Sequence, residues 1–164
     1  MNTEQQHNQK KIAMMEKCFD CYAEHGLTGT GVKMLAQACG CSPGNLYAYF
    51  KNRDELILES TAYCMARVEE DFMKKAPADP KDVVRFIEEV PYWTAKKHGK
   101  KYRLMYQVYT LPQYMEYGKK FFEGGQRAVH CLCQAAGAEA RDPLYHDHPA
   151  DLRFRPGVCP LRHV

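Results

Sequence analysis

The chain has 164 residues, 45% of them apolar, and a formal net charge of +3; its mean hydropathy is −0.56. That length holds one domain, or two small ones sharing a core, and no apolar run reaches the ~18 residues that a membrane span needs. The charge is too mild to name a partner. The start, "MNTEQQHNQKKIAMM", lacks the apolar stretch and cleavage site of a signal peptide, so a cytoplasmic location is expected.

Strand signals are nearly absent and helical periodicity dominates, which predicts an all-α chain. Ile12, Met15, Phe19 and Tyr22 form the apolar stripe of a first helix, and Gly26 stops it. A second helix is expected from Thr30, whose hydroxyl is placed to cap it, with Val32, Leu35, Ala36 and Cys39 along its buried face. Gly40 ends that helix after two turns. Ser42 then caps a third, with Pro43 at its first position, where a missing N–H costs nothing, and with Leu46 and Phe50 pointing inward.

Asn52 or Asp54 opens a long fourth helix with Ile57, Cys64, Val68 and Phe72 on its apolar face, expected to end near Ala76 before "PADP". Another helix runs from about Pro80 through Val83, Ile87 and Val90, and Pro91 is expected to kink or end it. "KKHGKK" (96–101) reads as a basic connection. Two aromatic-rich segments follow, broken at Pro112. The sequence thus predicts three parts: a three-helix head over residues 1–55, a helical domain over 56–128, and an atypical, poorly ordered tail over 129–164 with scattered prolines and charge.

Two short helices joined by a glycine turn are the outline of a helix-turn-helix, whose second helix enters the DNA major groove. The surface of the third helix favours that reading over a plain bundle. With Leu46 and Phe50 turned inward, Pro43, Gly44, Asn45, Tyr47, Ala48 and Tyr49 fall on or near the outer side, followed by Lys51 and Arg53. Gly44 and Ala48 are small enough for close backbone approach. Asn45 suits an adenine edge or a phosphate, and tyrosine hydroxyls and cations suit phosphates. Burial is the competing reading for Tyr47. Residues 1–54 carry six Lys/Arg against five Asp/Glu by count, so the phosphate footprint per subunit is modest and tight binding calls for two subunits.

The stretch "GLTGTGVKMLAQACGCSPGNLYAYFKNRDELI" (26–57) resembles the signature of the tetracycline-repressor (TetR/AcrR-type) family of bacterial transcriptional regulators. The likeness rests on the glycine before the second helix, Thr30, Val32, Leu35-Ala36 and Gly40. It continues through Ser42, Leu46-Tyr47, Tyr49-Phe50, a basic residue at Arg53, and Leu56. It implies an N-terminal helix-turn-helix DNA-binding domain followed by a helical ligand-binding and dimerisation domain. It further implies a homodimer on palindromic double-stranded operator DNA, a repressor role, and release by a small hydrophobic or aromatic inducer. Carried over by position, the DNA-facing residues are Thr30, Pro43, Gly44, Asn45, Tyr47, Ala48, Tyr49 and Arg53, and Lys33, Ser42 and Lys51 complete the candidate set. Thr30, Tyr47, Tyr49 and Arg53 would meet phosphates, and Pro43, Gly44, Asn45 and Ala48 bases. Gly31, where a second threonine is usual, removes one phosphate contact; Cys41 replaces a valine; Arg53 replaces the commoner lysine. Beyond about Ala140 the chain offers little for the two long helices through which such proteins pair, so dimerisation depends on what the tail permits.

Candidate ligand-facing residues are Trp93, Tyr102, Met105, Tyr106, Tyr109, Tyr114 and Phe122, against the plainer reading that such stripes are core. Cys131, Cys133, His146 and His148 could supply four zinc ligands, but C-x-C and H-x-H are not the usual pair spacings, and neither a metal nor a cofactor is expected. There is no phosphate-cradling glycine loop, nucleophile elbow or H-E-x-x-H, so no enzyme is expected. Two other readings stay open. One is a DNA-binding thiol sensor using Cys18, Cys21, Cys39 and Cys41; the other is a helical protein-interaction module without DNA binding.

Overall fold

The computed structural model describes residues 3–135, and within them the chain is helical with no strand. Six helices follow in order: α1 Thr3–His25, α2 Val32–Cys39, α3 Pro43–Leu46, α4 Arg53–Met73, α5 Val83–Tyr109 and α6 Met115–Ala135. Single 3-10 turns at Pro80–Asp82 and Pro112–Tyr114 lead into α5 and α6.

The apolar stripe of α1 is buried as Met14, Met15, Cys18, Phe19 and Tyr22. It packs on α2, α4 and α5. Leu35 and Ala36 bring α2 against it, Leu46 and Phe50 plug the turn beyond, and Leu56, Ile57, Cys64, Met65 and Val68 form the inner face of α4. Leu104, Met105, Val108, Tyr109 and Tyr114 extend the same cluster without a gap. The expected boundary between residues 55 and 56 therefore falls at the head of α4, within one continuous core.

Several boundaries differ from expectation, each for a local reason. α2 begins at Val32, with Gly31 as its N-cap and no side-chain cap bond. The Thr30 hydroxyl faces the other way and donates to the Gly26 carbonyl at 2.7 Å. Regular α3 is one turn long; beyond Leu46 the Ala48 N–H still reaches the Gly44 carbonyl at 3.1 Å, so helical bonding persists only as turns through Tyr49. α4 stops at Met73, three residues before the expected end.

α5 runs unbroken for 27 residues through Pro91 and through the basic stretch 96–101. Proline removes one ladder bond, at a cost of ~3 kcal/mol. Burial of Leu104, Met105, Val108 and Tyr109 on the same helix offsets that at ~1.5–3 kcal/mol each. The cations expected to form a connection instead sit on the helix and meet carboxylates of α1 and α4: Lys97–Asp71 at 2.5 Å, Lys100–Glu24 at 2.5 Å and Lys101–Asp20 at 3.9 Å. α6 carries helix through Ala135, so residues 129–135 of the expected tail are helical; residues 136–164 lie outside the described ones.

Where α6 folds back on α5, Gly118 is buried against Tyr109, and a Cβ there would stand 2.7 Å from both the Tyr109 Cβ and its carbonyl oxygen. Gly118→Ala should therefore cost about 1–3 kcal/mol through forced displacement of α6. Gly99→Ala should instead stabilise by roughly 0.5–1 kcal/mol, because Gly99 lies inside α5 with open space around it. Thermal denaturation of both variants would check the opposite signs.

Candidate nucleic-acid interface

The reading segment is a turn held from beneath. Ser42 caps it, its Oγ accepting the Asn45 N–H at 3.2 Å, and Pro43 follows at the first helical position. Gly40 makes the preceding reversal with φ 70°, its N–H bonded to the Gln37 carbonyl and that of Cys41 to Ala36. Leu46 and Phe50 are 0% and 1% exposed. With those two residues anchored, Ser42, Pro43, Gly44, Asn45, Tyr47 and Ala48 all face solvent, Tyr47 being 40% exposed. The competing reading of Tyr47 as buried does not hold. Tyr49 is half-buried, its ring stacked on His7 of α1 at 4.4 Å between centroids. Lys33 is exposed on α2, and Lys51 is exposed beside Glu55, whose carboxylate accepts the Lys51 backbone N–H.

Two residues of the expected set sit differently. Thr30 is 1% exposed and its hydroxyl is committed to Gly26, so its side chain belongs to the core and is not presented to a phosphate. Arg53 is exposed, but one nitrogen of its guanidinium donates to the Leu27 carbonyl at 2.6 Å and to the Thr30 carbonyl at 3.2 Å. It clasps the loop between α1 and α2 to the start of α4. A guanidinium has five N–H donors, so phosphate contact remains open to its other edge.

Sequence reasoning passed over Lys10 and Lys17. Together with Ala13 and Met14 they occupy one face of α1, at i, i+3, i+4 and i+7, and line a hollow of about 330 Å³ with Cys39, Gly40, Cys41, Asn45 and Tyr49. Neither lysine is in an ion pair among the described residues. The seven-residue spacing was the available signal; without knowing which face of α1 borders the reading turn, it pointed nowhere.

Six of the seven ligand-facing candidates share one cluster, and Trp93 stands apart. Met105, Tyr109 and Tyr114 are core residues, and Tyr102 and Phe122 pack against that core. Tyr106, 53% exposed, stacks on Phe122 at 5.5 Å. Trp93 stands sixteen residues before Tyr109 on α5, about 24 Å away at 1.5 Å per residue. It is held there by the ammonium groups of Lys75 and Lys97 and the edge of His98. A second hollow, about 540 Å³, is walled by residues of α1 and the 95–103 stretch of α5 and includes none of the seven. The side chains of Cys131, Cys133, His146 and His148 lie outside the described ones; among those described, no three His, Cys, Asp or Glu groups are placed to hold a metal.

A capped, glycine-turned pair of helices with a small, polar, outward row on the second is a helix-turn-helix of the DNA-reading class. Residues 16–60 match the model of the bacterial regulatory proteins of the tetR family. Two Bacillus subtilis proteins are similar. The uncharacterized HTH-type transcriptional regulator YerO is 29% identical over 79 residues, 44% of this chain and 27% of that protein. The fatty acid metabolism regulator protein is 29% identical over 76 residues, 44% of this chain and 39% of that one. The chain thus spans well under half the length of these curated relatives. A solved TetR family transcription regulator from Marinobacter aquaeolei VT8 superposes with a TM-score of 0.60 at 21% identity, over 81% of this chain and 73% of that one, and so shares its fold. Over residues 16–60 the head of this chain is thus similar to the bacterial regulatory proteins of the tetR family.

Two consequences can be measured. Thr30→Val should cost on the order of 1 kcal/mol, because it removes a buried hydrogen bond and leaves the Gly26 carbonyl short of a partner. Urea unfolding followed by circular dichroism would show it. The Tyr114 hydroxyl donates to the Asp54 carboxylate, and burial together with that bond pushes Tyr114 up to about 12. An unfolded tyrosine ionises near 10, so between about pH 10 and 12 the unfolded chain loses the proton first and stability falls. Tyr114→Phe should show a shallower alkaline loss of melting temperature than the wild type.

Proposed function

We propose that the protein is a transcriptional repressor that binds palindromic operator DNA as a homodimer through α2 and the α3 turn and is released by a small hydrophobic or aromatic effector. One observation carries the DNA reading: Leu46 and Phe50 pin the α3 turn to the core so that Pro43, Gly44, Asn45, Tyr47 and Ala48 form an exposed row of small and hydrogen-bonding residues. In this reading Asn45 addresses a base edge or a phosphate. Tyr47, Tyr49, Lys33, Lys51 and the free edge of Arg53 meet phosphates. Lys10 and Lys17 widen the cationic rim of a head with little net charge.

Pairing of two subunits is supported by apolar side chains left exposed at Tyr106, Met115 and Tyr117 on α5 and α6. A dimer would set two heads about one DNA turn apart, ~34–36 Å. Effector release is supported by two routes between the halves. α4 begins directly after the reading turn, and the Tyr114 hydroxyl, from the turn between α5 and α6, holds Asp54 at the first turn of α4. A ligand entering beside Tyr102, Tyr106 and Phe122 would move that turn and, through Asp54, the root of the head.

Fluorescence anisotropy on the DNA just upstream of the protein's own gene, at several salt concentrations, tests the proposal. Selective binding should fall steeply with salt, and Asn45→Ala should weaken it by about 1–3 kcal/mol on the preferred sequence while leaving non-specific binding nearly unchanged. Salt-insensitive or sequence-blind association would point instead to a protein-interaction module.

A further inference from the structure

Cys18 and Cys39 face one another across the contact of α1 and α2, with 3.4 Å between their sulfurs. Cys18 is wholly enclosed, whereas Cys39 is half-buried and opens onto the hollow lined by Lys10 and Lys17. The Cys39 thiol is also within 3.8 Å of the Met14 carbonyl, which fixes its direction toward α1. Cys21 and Cys41 lie nearby and Cys64 is buried on α4, but none of these shows a sulfur–sulfur approach among the described residues.

We propose that Cys18 and Cys39 form a redox-sensitive dithiol, closed to an intramolecular disulfide by hydroperoxides, and that closure disables the reading turn. The chemistry stands on the thiol geometry alone; its consequence rests on the DNA-reading function proposed above. Cys39, the sulfur with access, attacks the hydroperoxide as its thiolate. An S–O bond forms, the O–O bond breaks, and an alcohol or water leaves with the proton. The Cys18 sulfur then attacks the resulting sulfenic acid. The S–S bond forms, the S–O bond breaks, and the departing hydroxyl takes the Cys18 proton to leave as water. Two thiols lose two electrons and the hydroperoxide gains them.

Burial holds the Cys18 thiol protonated and also raises Cys39, while the hydrogen bond with Cys18 and, less strongly, the Lys17 ammonium work in the opposite direction on Cys39. The pair is accordingly a slow responder whose rate rises with pH, unlike a low-pKa peroxidase thiol. Disulfides that form in reducing compartments are mostly transient switches of this kind.

The structural consequence follows from position. Cys39 is the last residue of α2, and the N–H groups of Gly40 and Cys41 bond back to Gln37 and Ala36. Closing the sulfurs from 3.4 Å to the ~2.05 Å of a disulfide draws this end of α2 toward α1. The turn bearing Ser42 and Asn45 goes with it. The hollow shared by Cys39, Asn45 and Tyr49 narrows.

The test treats the full-length protein with hydrogen peroxide, blocks remaining thiols with iodoacetamide, maps linkages by mass spectrometry, and follows DNA binding by anisotropy before and after dithiothreitol. The expected result is a predominant Cys18–Cys39 linkage with at least a tenfold loss of DNA affinity, restored on reduction. Cys39→Ser and, separately, Cys18→Ala should keep reduced-state binding and lose the response. A different predominant linkage, no linkage, or an oxidised protein that binds as tightly as the reduced one would overturn the proposal. If the reduced protein bound no DNA, the DNA reading would fall, while the linkage map would still decide the dithiol.

Discussion

α4 has to serve two structures at once. Its inner face, from Leu56 to Val68, is a wall shared by the head and by the helices beyond it, and its first turn is where the reading segment ends. Because protein interiors pack at crystal-like density, a helix in that position cannot shift for one side without being felt on the other. The two polar ties at its root have the same character. Arg53 reaches back to the carbonyls of Leu27 and Thr30, fixing the loop that launches α2, and Asp54 receives the hydroxyl of Tyr114 from the far side of the molecule. Neighbouring residues of one helix turn therefore hold the helix-turn-helix head and the distal helices.

That arrangement explains why some residues of a motif are structural while their neighbours face outward. Thr30 and Arg53 sit in the same stretch as Asn45 and Tyr47, yet Thr30 is spent on internal carbonyl satisfaction and Arg53 partly so. A buried carbonyl left without a donor is costly, so a hydroxyl or guanidinium within reach is drawn inward. Asn45 has its side chain outward because Ser42 already satisfies the local backbone donor. Polar residue type alone does not separate these roles.

The long α5 shows the limit of reading breakers and charge runs as punctuation. Pro91 and the Lys-rich stretch around Gly99 both look like interruptions, and both lie within helix. The lysines are accommodated because α1 and α4 present Asp20, Glu24 and Asp71 opposite them. Those carboxylates are 26 to 81 residues away in sequence, by subtraction of Asp71 from Lys97 and of Asp20 from Lys101. Exposed pairs of this kind contribute little each, about 0.2–1 kcal/mol, but they make a cationic helix face compatible with its neighbours.

Helical class, the glycine stops at 26 and 40, the Ser42 cap, the inward Leu46 and Phe50 and the outward row around Leu46 were all legible in the residues. They depend on backbone sterics, terminal hydrogen bonding and a 3.6-residue period, which act within a few positions of chain. The bond from Thr30 to Gly26, the Arg53 clasp, the separation of Trp93 from the other six aromatic and methionine candidates, and the meeting of Cys18 with Cys39 were not legible. Each depends on which faces of separate helices meet, and that is set by packing a shared core across long stretches of sequence. Local patterning says which side of a helix is apolar; it does not say which other helix will cover it.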